Sequence, residues 1–180
     1  MVRKVLLSAL FVGSVLVLPA AAADDDTLAR FKGGIGVIPV SSGVAPVVSQ
    51  LTSEVVNRNF VRGVQPAGQI WVIDKLDARV RTNGDIKVKG KGLILGGGNN
   101  AGRATGQAVF ATLICAAAAP FDQFSTTLTG VVLADNGDFE IDDVLSPTVP
   151  SVCDSPMLLI RTAGSGNWFA VGIVNFGKDD

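Results

Sequence analysis

Histidine is absent from the sequence, and so is tyrosine. The first absence removes the Ser-His-Asp triad, the Cys-His pair and every histidine-based metal site. An enzyme built on this chain has carboxylates, Lys, Arg, Ser and Thr to work with. Charge of either sign is sparse, with 15 Lys and Arg against 16 Asp and Glu in 180 residues. So even a balance lacks the positive field that non-specific nucleic-acid binding needs, and no nucleic-acid partner is expected. There are two cysteines, Cys115 and Cys153. Without histidine they do not make a standard structural zinc site, and no cofactor is expected. Past the N-terminus there is no apolar run fit to cross a membrane as a helix. The longest uncharged stretches, Gly33–Ser53 and Ala104–Phe121, are broken by Pro, Gly, Ser, Thr and Gln.

The first 23 residues carry the features of a secretory signal peptide. Arg3 and Lys4 form a short positive region, Val5 to Leu18 is almost wholly apolar, and Pro19 ends that run. Ala21-Ala22-Ala23 then offers the small side chains that signal peptidase requires, and Asp24-Asp25-Asp26 places negative charge just beyond. The apolar run is shorter than the ~20 residues a spanning helix needs. The expected working protein therefore begins near Asp24 and is extracytoplasmic, either periplasmic or secreted. Loss of Arg3 and Lys4 takes the net charge from −1 to about −3. In such a compartment an even cysteine count predicts a Cys115–Cys153 disulfide closing a loop of about 38 residues.

Residues 24–32 read as a polar, flexible lead-in, and 33–177 as one domain, a size that can bury a real core. Pro39 and Pro46 discourage a long helix early in that domain. Leu51–Phe60 fits a short helix or an irregular edge strand. From Gln69 on, the pattern is strand-like. Asp77–Arg81 and Asp85–Lys91 alternate apolar with charged residues. Gln107–Cys115, Thr127–Ala134, Asp138–Leu145, Met157–Thr162 and Trp168–Val174 complete about eight strands.

An Asn-Gly-Asp turn signal occurs twice, at Asn83-Gly84-Asp85 and Asn136-Gly137-Asp138. In the first, a three-residue loop Thr82–Gly84 pairs Val80 with Ile86 and Ala78 with Val88, with Gly84 in the left-handed position. The same register in the second pairs Leu133 with Phe139 and Val131 with Ile141. A third hairpin turns within Ala163–Asn167. Short strands with apolar faces predict an all-β fold of mainly antiparallel strands, a β-sandwich first and a barrel as the alternative. Trp71, Phe110, Leu133, Phe139, Leu159 and Trp168 are the core candidates.

Four groups of residues invite a functional reading. Lys87, Lys89 and Lys91, with Arg79 and Arg81 across the hairpin, form a basic stripe that suits an anionic glycan, lipid head group or polymer; charged outer faces also simply keep strands soluble. Asp135, Asn136, Asp138 and Glu140 offer oxygens to calcium, although the EF-hand spacing is not met. Asp138, Glu140 and Asp142 share a strand face by alternation and are the carboxylates that acid–base or glycosidase chemistry would use, if they are not just a solvated face. Gly96–Gly102 is a glycine-rich loop with neither a P-loop nor a dinucleotide-binding pattern, either a mobile connection or a binding loop.

Three stretches resemble small exported bacterial proteins of uncharacterised function: Gly34-Ile-Gly-Val-Ile-Pro-Val40, Val56–Pro66 running into Trp71-Val-Ile-Asp74, and Gly90–Asn99. The resemblance implies a bacterial source and carries no activity and no site residue with it. The absence of any Asn-x-Ser/Thr sequon agrees with that source. The expectation is an exported, non-enzymatic module with an envelope or extracellular partner. A histidine-free hydrolase acting on glycans and a self-associating structural protein are the alternatives.

Overall fold

The computed structural model describes residues 26–43 and 55–177. The expected signal peptide at 1–23 lies outside the described residues, as does the stretch 44–54. Among the described residues every regular element is a strand.

The strands are β1 (Thr27–Gly36), β2 (Val40–Gly43), β3 (Val55–Arg58), β4 (Trp71–Val72), β5 (Lys75–Arg81), β6 (Asp85–Lys91), β7 (Ile94–Leu95), β8 (Ala108–Cys115), β9 (Gln123–Ser125), β10 (Val131–Val132), β11 (Phe139–Val144), β12 (Pro156–Thr162) and β13 (Trp168–Val174). One antiparallel sheet runs β10-β8-β12-β13-β1-β5-β6-β11, with β9 also on β8. β2 pairs β3, and β4 pairs β7.

The ends of that path, β10 and β11, are consecutive in the chain. The turn between them bends the sheet round until its two edges meet. A second contact closes the same seam lower down: Ser125 and Ser146 exchange backbone hydrogen bonds at 2.8 Å. The architecture is thus the nearly closed barrel, not two stacked sheets. The sandwich expectation fails because it needs two separate inner faces, whereas here one face curls upon itself.

Alternation explains which side is inside. Leu76, Val80, Ile86 and Val88 are fully buried, while Lys75, Asp77, Lys87 and Lys89 between them are exposed. Across the ring Leu113, Leu158 and Ile160 meet them with no exposure. Burying each such side chain is worth about 1.5–3 kcal/mol. The first hairpin has the expected register: Val80 faces Ile86, Ala78 faces Val88, and Gly84 has φ +92°. The third also turns as expected, with Thr162 N–H donating to Asn167 O at 2.9 Å. All six core candidates are buried.

Two expectations are corrected. Residues 27–32 are not a flexible lead-in: they begin β1, which sits between β5 and β13. Ala29 and Phe31 point inward opposite Val80 and Ala78, and the polar residues between them point out. The low apolar content of this stretch reflects a strand with only one buried face. The second Asn-Gly-Asp signal makes the expected turn, but Leu133–Phe139 and Val131–Ile141 are not ladder pairs. Val131 pairs with Val109 on β8, and Ile141 with Val88 on β6. The two arms leave the turn for opposite edges of the sheet.

β8, β12 and β13 are buried on both faces. By register Phe110, Ile114, Leu159 and Trp168 lie on the outer side, yet each is at most 5% exposed. Residues 59–67 cover them. Trp168 N–H donates to Gln65 O at 2.9 Å, and Trp168 Nε1–H donates to Asn59 O at 2.9 Å. Arg62 reaches from the same cover to Ile114 O at 3.1 Å and Ser155 O at 2.6 Å. The Cys115–Cys153 disulfide joins the end of β8 to the loop before β12.

Asp143 helps to hold the seam. Its Oδ2 accepts Thr127 N–H and its Oδ1 accepts Val144 N–H, both at 2.8 Å. The Thr127 bond above all holds this carboxyl below its ordinary range. A carboxyl depressed by folding stabilises the protein above its unfolded pKa of about 3.9 and loses that contribution as pH falls through the folded value. Asp143→Asn should therefore lose less of its denaturation midpoint than the parent between about pH 5 and pH 2. Urea titrations across that range measure it, and parallel curves for the two proteins would refute the role.

Candidate functional site

The basic stripe lies on the outer wall. β5 and β6 pair so that Arg79 faces Lys87, Asp77 faces Lys89 and Lys75 faces Lys91. β11 answers from the other side: Lys87 Nζ lies 2.8 Å from Asp142 Oδ2, and Lys89 Nζ lies 3.3 Å from Glu140 Oε1. Arg79 and Arg81 both reach Asp26, at 3.0 and 3.5 Å. The Asp142 contact raises the Lys87 ammonium above its ordinary range. Exposed pairs of this kind contribute little to stability. The wall is a lattice of mutually screened charges, and a shallow groove of 320 Å³ runs over it beside Arg30 and Lys32. Charges standing outward on β5, β6 and β11 would be costly on a lipid-facing surface.

The carboxylates are spent elsewhere. Asn136 Oδ1 accepts Asp138 N–H at 3.1 Å, as Asn83 Oδ1 accepts Asp85 N–H at 3.0 Å in the first turn. Asp138 Oδ1 accepts Gly92 N–H at 3.1 Å, tying the turn to the β6–β7 junction. Glu140 is taken by Lys89. Among the described residues no three of Cys, Asp and Glu are grouped to hold a metal ion. Of the calcium candidate Asp135, Asn136, Asp138 and Glu140, the structure uses Asn136 and Asp138 in chain reversal and seam closure, as the first turn uses its own Asn–Asp pair, and sets Glu140 against Lys89. Of Asp138, Glu140 and Asp142, Asp142 lines a cleft of 310 Å³ in which Arg79, Arg81 and Lys87 surround it.

The site with the most built geometry is at one end of the barrel. Here the β5–β6 hairpin continues past a kink at Asp74 and Gly92 into β4 and β7. Trp71 N–H donates to Val37 O at 3.1 Å, and Gly96 N–H donates to Ile70 O at 2.9 Å. Trp71 stacks on Phe169 with ring centroids 4.0 Å apart and planes 13° from parallel. This aromatic pair, with Leu95 and Ala67, floors an open pocket of 480 Å³. Its walls come from three loops. Gly68 and Gln69 precede β4; Asn100, Thr105 and Gln107 follow β7; Gly164, Ser165 and Asn167 form the β12–β13 turn.

Among the described residues nothing carrying a formal charge lines this pocket. Thr162, one of its buried residues, donates its hydroxyl to Gln107 Oε1 at 3.3 Å and accepts Gly164 N–H at 3.4 Å. The glycine-rich loop is anchored at its base, where Leu95 N–H donates to Arg103 O at 3.1 Å and Gly102 N–H to Leu95 O at 2.8 Å. It is therefore a fixed excursion that delivers Asn100 to the rim. Comparison with known proteins adds no relative. No family model, no curated protein and no solved structure matches the chain.

The Gly96–Gly102 loop stands out in the sequence, but the pocket does not. Three glycine-bearing turns far apart in the chain converge there, and only the curl of the sheet shows which ends meet. A signal was present in Thr105-Gly106 and Gly164-Ser165-Gly166, compact turns on either side of strands that share one end of the barrel.

Proposed function

We propose that this is an exported, non-enzymatic barrel that works as a binding module in a bacterial envelope or extracellular space. The observation that carries the proposal is the end pocket. Its amides and hydroxyls, set over an apolar floor, are groups that hold a ligand rather than transform it. The N-terminal pattern and the disulfide support export, because disulfides persist in oxidising compartments.

The outer wall favours a second reading. Lys75 stands directly opposite Lys91, whereas Arg79 and Lys87 are each paired with a carboxylate. Like charges in direct cross-strand register destabilise a sheet, and a bound polyanion would relieve them.

The test uses the full chain expressed in a host that exports it. Recovery of a protein beginning at Asp24 is the expected result. Thermal unfolding is then followed against envelope glycans, lipids and anionic polymers. A ligand at 100 times its Kd should add about 2.7 kcal/mol, seen as a rise in Tm of roughly 5–10 °C. Turnover of any glycan in the panel would overturn the non-enzymatic reading. A retained leader would overturn export.

A further inference from the structure

We infer that the end pocket is a binding site for a small neutral saccharide. This deepens the binding-module reading and rests on it. The first argument is chemical exclusion. A charged ligand entering this pocket loses water and meets no countercharge among the described residues, which is costly. A purely apolar ligand leaves the rim amides facing it unpaired. A saccharide avoids both penalties. Its hydroxyls donate and accept in all directions, and its C–H faces suit an apolar floor. The volume of 480 Å³ lies within the range of small-ligand sites.

The second argument is unspent hydrogen-bonding capacity. Gln69, Asn100, Ser165 and Asn167 line the pocket, and their side chains bond to no protein group among the described residues. Gln107 spends its Oε1 on Thr162 and keeps both Nε2 hydrogens. Paired donors and acceptors on carboxamides are the groups that match vicinal hydroxyls.

The third argument is independent of both. Thr105 has φ +55° and Gly106 φ +66°. Together they are the centre of a turn closed by Gln107 N–H donating to Ala104 O at 3.3 Å. Such turns take Asn, Asp or Gly at the first central position, where a β-branched residue is strained. Here the strained residue lies on the pocket rim, anchored by the fully buried Ala104 beside it. Strain of this kind persists where the side chain is needed, and what Thr105 supplies to the rim is a hydroxyl.

The experiment is calorimetric titration of the exported protein with maltose, cellobiose, chitobiose and mannobiose. A heparin fragment serves as the anionic probe. At least one neutral disaccharide should bind at millimolar concentration or below. Asn100→Asp and Gln107→Glu place a charge in the pocket with almost no change of shape, and each should weaken that binding about tenfold or more. Thr105→Gly should raise Tm by relieving the turn and still weaken binding, a combination that a purely structural threonine would not give. If no neutral disaccharide binds, the inference is overturned. If the heparin fragment alone binds, unaffected by Asn100→Asp, the module reading stands with its site on the charged wall. If neither probe class binds, both readings fall.

Discussion

Gly137→Ala is expected to lower the stability of the protein by about 3–4 kcal/mol, the larger of two losses that a single turn motif predicts. Gly137 has φ +82°, and a Cβ there would stand 2.5 Å from both N and O of Leu93. Both atoms are backbone, and Leu93 N–H already donates to Gly137 O at 3.0 Å. The new methyl cannot be accommodated by turning a side chain. Either the turn lifts away from the β6–β7 junction, with the seam, or the junction distorts. Gly84 occupies the same position in the other Asn-Gly-Asp turn with φ +92°, but a Cβ there meets nothing nearer than 3.5 Å. Gly84→Ala should cost only the left-handed penalty, about 1 kcal/mol. Identical local chemistry thus predicts unequal losses, and the difference belongs to the closing role of the second turn. For a chain of 180 residues the Gly137 variant should melt roughly 6–15 °C lower. Equal losses in the two variants would remove the turn's role as clasp.

Removing the disulfide should have an effect of similar size by a different route. The Cys115–Cys153 bond closes a loop with a sequence separation of 38, and the chain-entropy relation gives about 3–4 kcal/mol for such a loop. The enclosed chain holds β9, β10, β11 and both seam contacts, so the bond restricts in the unfolded state the segment that must find the opposite edge of the sheet. The Cys115→Ala/Cys153→Ala variant should therefore unfold at clearly lower denaturant concentration. The parent under reducing conditions should match it, and reductant should leave the variant unchanged. A double variant as stable as the parent would show that the native packing alone restrains this segment.

Much of the barrel was legible residue by residue. Val80 and Ile86 alternate with charged neighbours, so their hairpin could be written with its register and its glycine before any coordinates. The second turn carries the same signal, which by itself predicts the same object. A turn motif encodes the reversal, whereas the partners of the arms depend on which distant edges are unsatisfied. Val131 finds Val109, and Ile141 finds Val88, through that non-local competition. Likewise Ala29 and Phe31 looked too sparse to make a strand until β5 and β13 flanked them. The basic stripe is legible as an outward face, but its partners Asp142 and Glu140 become neighbours only through the β6–β11 pairing. The pocket was least legible. Gln69, Gln107 and Asn167 are ordinary loop-side polar residues, and no spacing along the chain announces their convergence.

The pairing of β1 with β13 has a consequence for the order of events. Phe31 lies beside Val174, so the first described strand takes its neighbour from the last described one. A nascent chain lacking its last strand leaves one edge of β1 unpaired and the ring open. Contacts this distant in sequence fold slowly, on the millisecond-to-second scale. Completion must wait until β13 has been made. On the export reading proposed above, that delay would be useful: the fold itself postpones its own closure until translocation has had time to begin.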